Sequence, residues 1–436
     1  MTAPRSTPTS IVPRHDCYAS FAQLATLIVH EGRGAELIKF DVVSAYKLVR
    51  LLLQDYHLLG EQEPFAGVPH YSFSLATSFG AASSADNFHD LAEVLEFLIR
   101  LLATLLSSLA RYADDFCGVV PRRALHDHRQ DAALAQVYAV THTLGVPIAK
   151  VEGPTTSLVF IGTAIDTVRM IAFIPPDKLA EAITDFILWQ TREFASQKQW
   201  QSLAGTLEWL TRVVLWGRPH IAHAIRLSTK RRGARASPTF RHEISWWISV
   251  LKTNPSVPLS FHCNPPPMFI VETDASMDGF GAWSPTLALC LLGKFTALEL
   301  ASAQRTSSRS MGELELRAVL IALHTFAPHL AGASVLFKVD NEEAHYALEK
   351  RSAKPPNQRA IIADIADLCM THNIFISATY FPTPLPHLPH DACNRRADLL
   401  SRDQAEEFFA ITPTATSTPT TPLRQPIRSW PPTYFV

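Results

Sequence analysis

The chain has 436 residues, of which 47% are hydrophobic and 18% are charged, a composition typical of globular domains rather than of a disordered protein. Its 39 Lys and Arg residues nearly balance its 40 Asp and Glu residues, and the formal net charge of −1 excludes a uniformly basic surface. Six scattered cysteines without a Cys-x-x-Cys pair argue against a disulfide scaffold or a zinc finger, so we expect an intracellular, reducing compartment, with nucleus and cytoplasm both open.

The first part of the chain predicts a disordered start and a mixed domain. Residues 1–16 are rich in Pro, Ser and Thr, lack the apolar core of a secretory signal, and are expected to be disordered. Residues 17–175 mix strand-like runs with a long apolar run at 91–110. Three charges interrupt that run, Glu93, Glu96 and Arg100, so we expect a largely buried helix and no membrane partner, with a transmembrane helix as the weaker alternative.

The middle of the chain reads as helical over residues 176–252, with Gly and Pro at the breaks. Between Arg192 and Glu243 there are ten Lys or Arg residues and three acidic ones. This excess favours a local surface for a phosphate backbone, although a solvated basic face is the simpler interpretation. Residues 253–267 are Pro-rich and predict a linker.

Residues 268–405 alternate short apolar strands with helical patterns, which predicts an α/β domain. The remaining residues, 406–436, are rich in Pro and Thr, and we expect them to be disordered.

Two segments of the first domain place Asp within apolar, strand-like runs. Residues 39–46 read KFDVVSAY and contain Asp41, and residues 111–120 read RYADDFCGVV and contain Asp114 and Asp115. Adjacent carboxylates repel one another unless a cation lies between them, so a third Asp on a neighbouring strand would complete a Mg²⁺ or Mn²⁺ site. A polar hairpin turn is the alternative for the Asp pair taken alone.

The order of five such segments resembles the palm of a reverse transcriptase. The other three are TSFGAASSADNF at 77–88, LGVPIAKVEG at 144–153 and LVFIGTAID at 158–166. The resemblance implies that the metal ligands are Asp41, Asp114 and Asp115, that nucleotide and template contact Tyr46, Phe79, Gly80 and Lys150, and that the primer grip contains Phe160 and Gly162. It implies an RNA template, a DNA primer and dNTPs as partners. The residues of the later segments are most similar to those of DIRS-type retrotransposons.

Four acids in the second domain follow strand ends and helix patterns: Asp274, Glu315, Asp340 and Asp398. Acids at strand ends that converge with one helical acid suit two-metal hydrolysis of a phosphodiester. The set and the ending ADLLSR resemble ribonuclease H, which implies these four as catalytic metal ligands and an RNA–DNA hybrid as substrate. Glu313 competes with Glu315, which fits the family helix better. His387 and His390 are more simply plain loop residues, and His220 is given no functional role.

Together these features predict an α/β protein: an α+β palm with a fingers remnant at 17–36, a helical thumb, and a ribonuclease H-like α/β domain. Only forty residues precede Asp41. This is short for the family's fingers region, so we expect weak nucleotide binding and a truncated or decaying retroelement product, or a domesticated one. The predicted function is an RNA-directed DNA polymerase with ribonuclease H activity. Two alternatives stay open: a polymerase-dead relic that retains ribonuclease H, and a catalytically silent nucleic-acid-binding protein.

Overall fold

The computed structural model describes residues 20–65, 68–78, 82–121, 129–304, 310–381 and 393–417. They divide into two compact units: the first contains the described residues up to 172 together with 258–263, and the second contains 173–257 and those from 264 onward. Both units combine helices with sheets, and the prediction of a mixed α/β fold is confirmed. Residues 1–16, where we predicted disorder, lie outside the described residues.

The first unit consists of short strands and three helices. In chain order they are α1 (Phe21–Glu31), β1 (Glu36–Val42), β2 (Gly60–Phe65), β3 (Val68–Phe73), α2 (Ala82–Leu102), β4 (Ser108–Tyr112), β5 (Asp115–Val120), α3 (Arg129–Thr143), β6 (Ile148–Thr155), β7 (Ser157–Phe160), β8 (Thr163–Asp166) and β9 (Ile171–Phe173). Two 3-10 turns lie at Ala45–Leu48 and Leu53–Leu59. Helix α1 begins with a capping box in which the side chains of Ser20 and Gln23 bond to each other's backbone N–H groups.

The central sheet of the first unit has the order β4-β5-β1-β6, and all of its neighbours are antiparallel. Its core contains Ile38 and Phe40 of β1, with Leu95 and Ile99 of α2 and Val137 of α3. The helices therefore cover one face of the sheet and fix the strands whose ends carry the predicted acids.

The prediction of one buried helix over residues 91–110 is wrong at its end. Helix α2 stops at Leu102, and residues 108–110 belong to β4, which pairs with β5. Pairing within the sheet overrides the helical pattern of the local sequence. The helix is also not largely buried, since Val94, Phe97 and Leu101 are exposed. No described helix is long and apolar enough to cross a membrane.

The second unit begins with a helical segment and continues with a sheet. Its elements are α4 (Pro176–Thr191), β10 (Phe194–Ala195), α5 (Gln197–Leu210), α6 (Ala222–Ser228), β11 (Ala234–Arg235), α7 (Pro238–Leu251), β12 (Ser256–Pro258), β13 (Phe269–Ala275), β14 (Phe280–Ser284), β15 (Leu289–Gly293), α8 (Ala297–Gln304), α9 (Ser310–Leu330), β16 (Ser334–Val339), α10 (Glu342–Lys350), α11 (Pro356–Thr371), β17 (Phe375–Tyr380), α12 (Arg395–Ser401), α13 (Ala405–Ile411) and β18 (Thr416–Ser417). A 3-10 turn lies at Leu215–Ile221.

The sheet of this unit has the order β17-β16-β13-β14-β15-β18. Strand β13 is parallel to β16 and antiparallel to β14, and β16 is parallel to β17. Helices α9 and α11 pack on the face that contains Ala282 of β14, whereas α12 and α13 pack with Trp283, its neighbour along the strand. Successive strand residues point to opposite faces, so the sheet lies between two helical layers.

Regular structure extends into two regions where we predicted none. The predicted linker, 253–267, contains β12 and a 3-10 turn at Leu259–His262, and the ring of His262 meets Phe21 edge-on at 4.9 Å. The predicted tail contains α13 and β18, because Phe408 is fully buried against Trp283 with ring centroids 5.6 Å apart. Apolar anchors thus keep both regions folded, and residues 418–436 lie outside the described residues.

The cysteines of the described residues form no disulfide: Cys117, Cys263, Cys290, Cys369 and Cys393 are free.

Candidate functional site: two acidic clusters

Asp41 and Asp115 of the first acidic cluster face each other across neighbouring strands. Asp41 lies near the end of β1, and its register partner on the antiparallel strand β5 is Asp115. Directly opposed residues in such a pair have Cβ atoms about 5 Å apart, so the carboxyl groups meet on one side of the sheet. Asp114 is exposed in the two-residue turn before β5, which a positive φ of 54° at Ala113 makes tight. The three predicted acids are therefore neighbours, with Asp114 the most open to solvent.

Lysines supply positive charge to the first cluster. Nζ of Lys150 lies 2.5 Å from Oδ2 of Asp41. Burial raises the pKa of Asp41, but the carboxyl of Asp115 and the ammonium of Lys150 outweigh it and leave the pKa below its ordinary value. Burial and the neighbouring Asp41 raise the pKa of Asp115 to about 7, against the opposing charge of Lys39. The pKa of Asp115 thus lies above that of Asp41, as expected for two like charges in contact.

The remaining residues of the reverse transcriptase resemblance have separate positions. Tyr46 lies in the 3-10 turn after β1, where its ring meets Phe88 edge-on at 5.9 Å and its carbonyl accepts a 2.5 Å hydrogen bond from Thr77. Phe160 is buried at the end of β7, and Gly162, with a φ of 81°, lies in the two-residue turn to β8. Phe79 and Gly80 lie outside the described residues.

The second acidic cluster brings together Asp274, Glu315 and Asp340. One ligand atom from each lies within 4.8 Å of the others, and this is the only such group of His, Cys, Asp and Glu side chains among the described residues. Asp274 lies at the end of β13 and Asp340 directly follows β16. The carboxyl ends of parallel strands meet at the same edge of a sheet, and the first turns of α9 bring Glu315 to that edge.

Burial makes this cluster electrostatically unfavourable when it holds no cation. Burial, reinforced by the charge of Asp340, raises the pKa of Asp274 to about 8. Burial and the charges of Asp274 and Asp340 raise the pKa of Glu315 well above its usual range, and burial also raises that of Asp340. Oε2 of Glu315 is buried without a hydrogen-bond partner in the described part of the chain. Three oxygen donors with such an orphaned atom fit a hard divalent cation such as Mg²⁺ or Mn²⁺.

Asp398 and Glu313 are positioned differently from these three. Asp398 lies on α12 and bonds to Nε of Arg402 at 2.7 Å, and it is near enough to raise the pKa of Asp274 by its charge. It is not within the group of three ligand atoms. Glu313 is buried and accepts a hydrogen bond from Arg317 at 2.9 Å. The structure thus gives Glu313 its own partners and places Glu315 in the acidic cluster.

Two polar residues beside the second cluster are absent from the sequence predictions. Oγ of Ser401 lies 2.5 Å from Oδ2 of Asp274, and Nδ2 of Asn394 lies 3.2 Å from Oδ1 of the same carboxyl group. Both side chains are buried. The available signal was helical spacing, because Asn394 and Ser401 lie four residues before and three residues after Asp398 and therefore share one side of α12.

Of the three histidines to which we assign no functional role, the structure describes only His220. His220 is buried and stacks on Trp246 at 3.8 Å between ring centroids, so it belongs to the packing of the helical segment. His387 and His390 lie outside the described residues.

The basic excess of the helical segment is concentrated in one exposed stretch. Exposed side chains extend from α6 through the turn to β11: Arg226, Lys230, Arg231, Arg232 and Arg235. None of the five forms an ion pair with another described residue. Unpaired, solvated cations of this kind are available to a polyanion.

No protein-family model matches the chain, and no curated protein matches it. Among solved structures, the chain is similar to a foamy viral protease-reverse transcriptase in complex with an RNA/DNA hybrid, with a TM-score of 0.44, 12% identity, and coverage of 86% of this chain and 48% of that chain. Two more foamy viral protease-reverse transcriptase structures are similar. The dRH form with double-stranded DNA has a TM-score of 0.43, 15% identity, and coverage of 84% and 60%. A second complex with double-stranded DNA has a TM-score of 0.41, 14% identity, and coverage of 81% and 68%. The chain spans about half the length of the first of these chains and three-fifths of the second.

Proposed function

We propose that the sheet domain of the second unit is a divalent-metal-dependent ribonuclease that cuts the RNA strand of RNA–DNA hybrids. The observation that carries this proposal is the second acidic cluster, in which carboxyl groups from three separate elements converge within 4.8 Å. Buried carboxyls without cationic partners raise the free energy of the folded protein, so a cluster of this kind is more readily explained by a ligand than by stability.

In this proposal Asp274, Glu315 and Asp340 bind the metal, and Asp398 completes the set from α12. When bound, Mg²⁺ or Mn²⁺ would supply a nucleophilic hydroxide and neutralise charge on the phosphate. Arg402 holds the carboxyl of Asp398 at 2.7 Å, which orients that group at the rim of the cluster. The resemblance to ribonuclease H supports the choice of an RNA–DNA hybrid over another phosphodiester.

A second activity, RNA-directed DNA synthesis, is favoured by the first acidic cluster. Asp41 and Asp115 are register partners, and Nζ of Lys150 lies 2.5 Å from Oδ2 of Asp41. Opposed carboxylates would bind Mg²⁺ at the primer end, and Lys150 would deliver a proton to the leaving pyrophosphate. The predicted palm, thumb and DIRS-type origin belong to this second proposal.

The exposed cations between α6 and β11 would contact the nucleic-acid backbone. Their attraction to phosphate is independent of sequence and falls steeply with salt. RNA template, DNA primer and RNA–DNA hybrid would share this surface, whereas dNTPs would bind at the first acidic cluster.

The test is primer extension on poly(rA)/oligo(dT) with Mg²⁺, with cleavage of a labelled RNA–DNA hybrid followed in the same tube. Asp274→Asn should abolish cleavage and leave extension, and Asp114→Ala with Asp115→Ala should do the reverse. Glu407→Gln, at an exposed carboxyl that pairs with Arg395, is the control and should retain both activities.

Each outcome selects among the alternatives. Cleavage without extension would support the polymerase-dead ribonuclease and remove the second proposal. Cleavage that persists in Asp274→Asn would refute the ribonuclease assignment. Salt-sensitive hybrid binding with neither activity would favour a silent binding protein.

A further inference from the structure

Ser401 is bonded to an acid of the second cluster, although it lies on a different element. Its hydroxyl is 2.5 Å from Oδ2 of Asp274, and its side chain is only 1% exposed. The two residues are 127 positions apart in the chain, so their contact ties the last turn of α12 to the end of β13.

The hydroxyl of Ser401 has one proton and two acceptors within reach. One is Oδ2 of Asp274 at 2.5 Å, and the other is the carbonyl of Asp398 at 3.0 Å. The carboxyl oxygen of Asp274 is the nearer of the two acceptors. The proton of Ser401 is therefore directed mainly at Asp274.

The other oxygen of Asp274 is held from the same helix. Nδ2 of Asn394, at the start of α12, is 3.2 Å from Oδ1 of Asp274 and 3.0 Å from the carbonyl of Thr273. Both oxygens of one buried carboxyl are thus bonded to side chains that flank Asp398. The rotation of the Asp274 carboxyl is restricted from two sides.

Close backbone packing fixes the helix that carries these groups. A Cβ at Gly281 of β14 would lie 2.6 Å from the carbonyl of Ala397 and 2.5 Å from Cβ of Leu400. The carbonyl of Ser401 also accepts a 2.8 Å hydrogen bond from the hydroxyl of Ser276. Because α12 lies directly on the sheet, the Ser401 hydroxyl has little freedom to leave Asp274.

We propose that Ser401 is a positioning residue of the metal site, which orients the carboxyl of Asp274 toward Glu315 and Asp340 and couples it to the helix of Asp398. This inference rests on the proposed ribonuclease function. On this inference, loss of the Ser401 hydroxyl weakens metal binding although Ser401 is not a metal ligand. Residues that orient metal ligands typically change affinity by about 10- to 100-fold when they are lost.

The experiment measures Mn²⁺ binding to the full chain by calorimetry, with hybrid cleavage as a second readout. The binding that is lost in Asp274→Asn defines the site. Ser401→Ala should weaken that binding by about tenfold, and Ser401→Thr, which keeps the hydroxyl, should restore most of it. The Cys side chain has nearly the same size as Ser but is a weaker donor, so the Mn²⁺ affinity of Ser401→Cys should lie between those of the Ala and Thr variants. Ser401→Cys replaces Ser401→Thr if the added methyl group of Thr prevents folding.

The matched control is Ser334→Ala. Ser334 is also buried, and its hydroxyl donates a 2.7 Å hydrogen bond to the carbonyl of Pro266. Ser334 begins β16, whereas Asp340 follows the other end of that strand. This variant should lose thermal stability like Ser401→Ala but bind Mn²⁺ like the unaltered chain. Folding of every variant is checked by circular dichroism.

Two outcomes would refute the role of Ser401 alone, and a third would refute the proposed ribonuclease function as well. Unchanged Mn²⁺ affinity in Ser401→Ala, or an equal loss in Ser334→Ala, would show that Ser401 has only a packing role. Mn²⁺ binding that is unchanged in Asp274→Asn would refute the proposed function together with this inference.

Discussion

Replacing Asp274 by Asn should stabilise the metal-free protein while it removes metal binding. Asp274 is 3% exposed and packs against two other carboxyl groups. Its negative charge therefore lacks both water and a cation when no metal is bound. The Asn variant keeps the shape of the side chain and removes the charge.

The size of the effect follows from the pKa of Asp274, which rises from 3.8 to about 8 in the folded protein. Because the folded pKa is the higher one, the folded state binds the extra proton between these values, and the free energy of unfolding falls as pH rises through this window. At pH 7 the difference of about three units corresponds to roughly 4 kcal/mol, at about 1.4 kcal/mol per unit. Loss of the hydrogen bond that Ser401 donates to this largely protonated carboxyl group offsets about 1 kcal/mol, so we expect a net gain of about 3 kcal/mol.

The assay is thermal unfolding at pH 5 and pH 7.5, with EDTA and with Mg²⁺. A gain of about 3 kcal/mol should raise the Tm of Asp274→Asn by roughly 6–12 °C in EDTA at pH 7.5, and by much less at pH 5. Mg²⁺ should raise the Tm of the unaltered chain more than that of the variant, which keeps only the first acidic cluster, since a ligand stabilises only the state that binds it.

Glu313→Gln is the matched control for this prediction. Glu313 is as buried as Asp274, but Arg317, Ser302 and Asn357 donate hydrogen bonds to it. Its replacement should lower the Tm at both pH values and keep the response to Mg²⁺. The reasoning would be refuted if Asp274→Asn were less stable than the unaltered chain in EDTA at pH 7.5, or if Mg²⁺ stabilised both equally.

Four further variants test other parts of the structure. Lys150→Gln should strengthen Mn²⁺ binding at the first acidic cluster by no more than about fivefold in a titration, because the 78% exposed lysine forms a surface ion pair that solvent screens. Gly281→Ala should destabilise the second unit by about 1–3 kcal/mol in chemical unfolding through overpacking against α12. Gly205→Ala, on an open face of α5, should stabilise it by up to about 1 kcal/mol. Arg231→Gln with Arg232→Gln should weaken hybrid binding and reduce its salt slope by about 2 in filter-binding assays, and an unchanged slope would exclude phosphate contacts by these residues.

The acids of the second cluster could be proposed from sequence because a simple pattern marks them. Asp274 and Asp340 each end an apolar strand, and parallel strands bring such ends together. The choice between Glu313 and Glu315 also had a readable signal, since Glu313 lies four residues before Arg317 and forms an ion pair with it. The catalytic assignment of these residues stays a prediction.

Other features were beyond a local reading of the sequence. Nothing in the run at 91–110 shows that residues 108–110 pair with β5, because a strand in a sheet is stabilised by residues that are distant in sequence. The burial of Phe408 against Trp283 depends likewise on tertiary packing, and it places helix and strand where composition suggested disorder. The hydrogen bonds from Ser401 and Asn394 to Asp274 could not be predicted from the sequence, because they depend on how α12 packs against the sheet.

The two acidic clusters differ in how the repulsion between their carboxyl groups is reduced. In the first, Lys150 pairs with Asp41 and Lys39 lowers the pKa of Asp115, so this cluster carries its own positive charge. In the second, no Lys, Arg or His forms an ion pair with Asp274, Glu315 or Asp340 among the described residues, and burial instead raises the pKa of all three carboxyls. A cation from solution must displace a lysine in the first case and protons in the second. The response of stability to Mg²⁺ should therefore depend on pH mainly through the second cluster, and Asp274→Asn should abolish that dependence where Lys150→Gln does not.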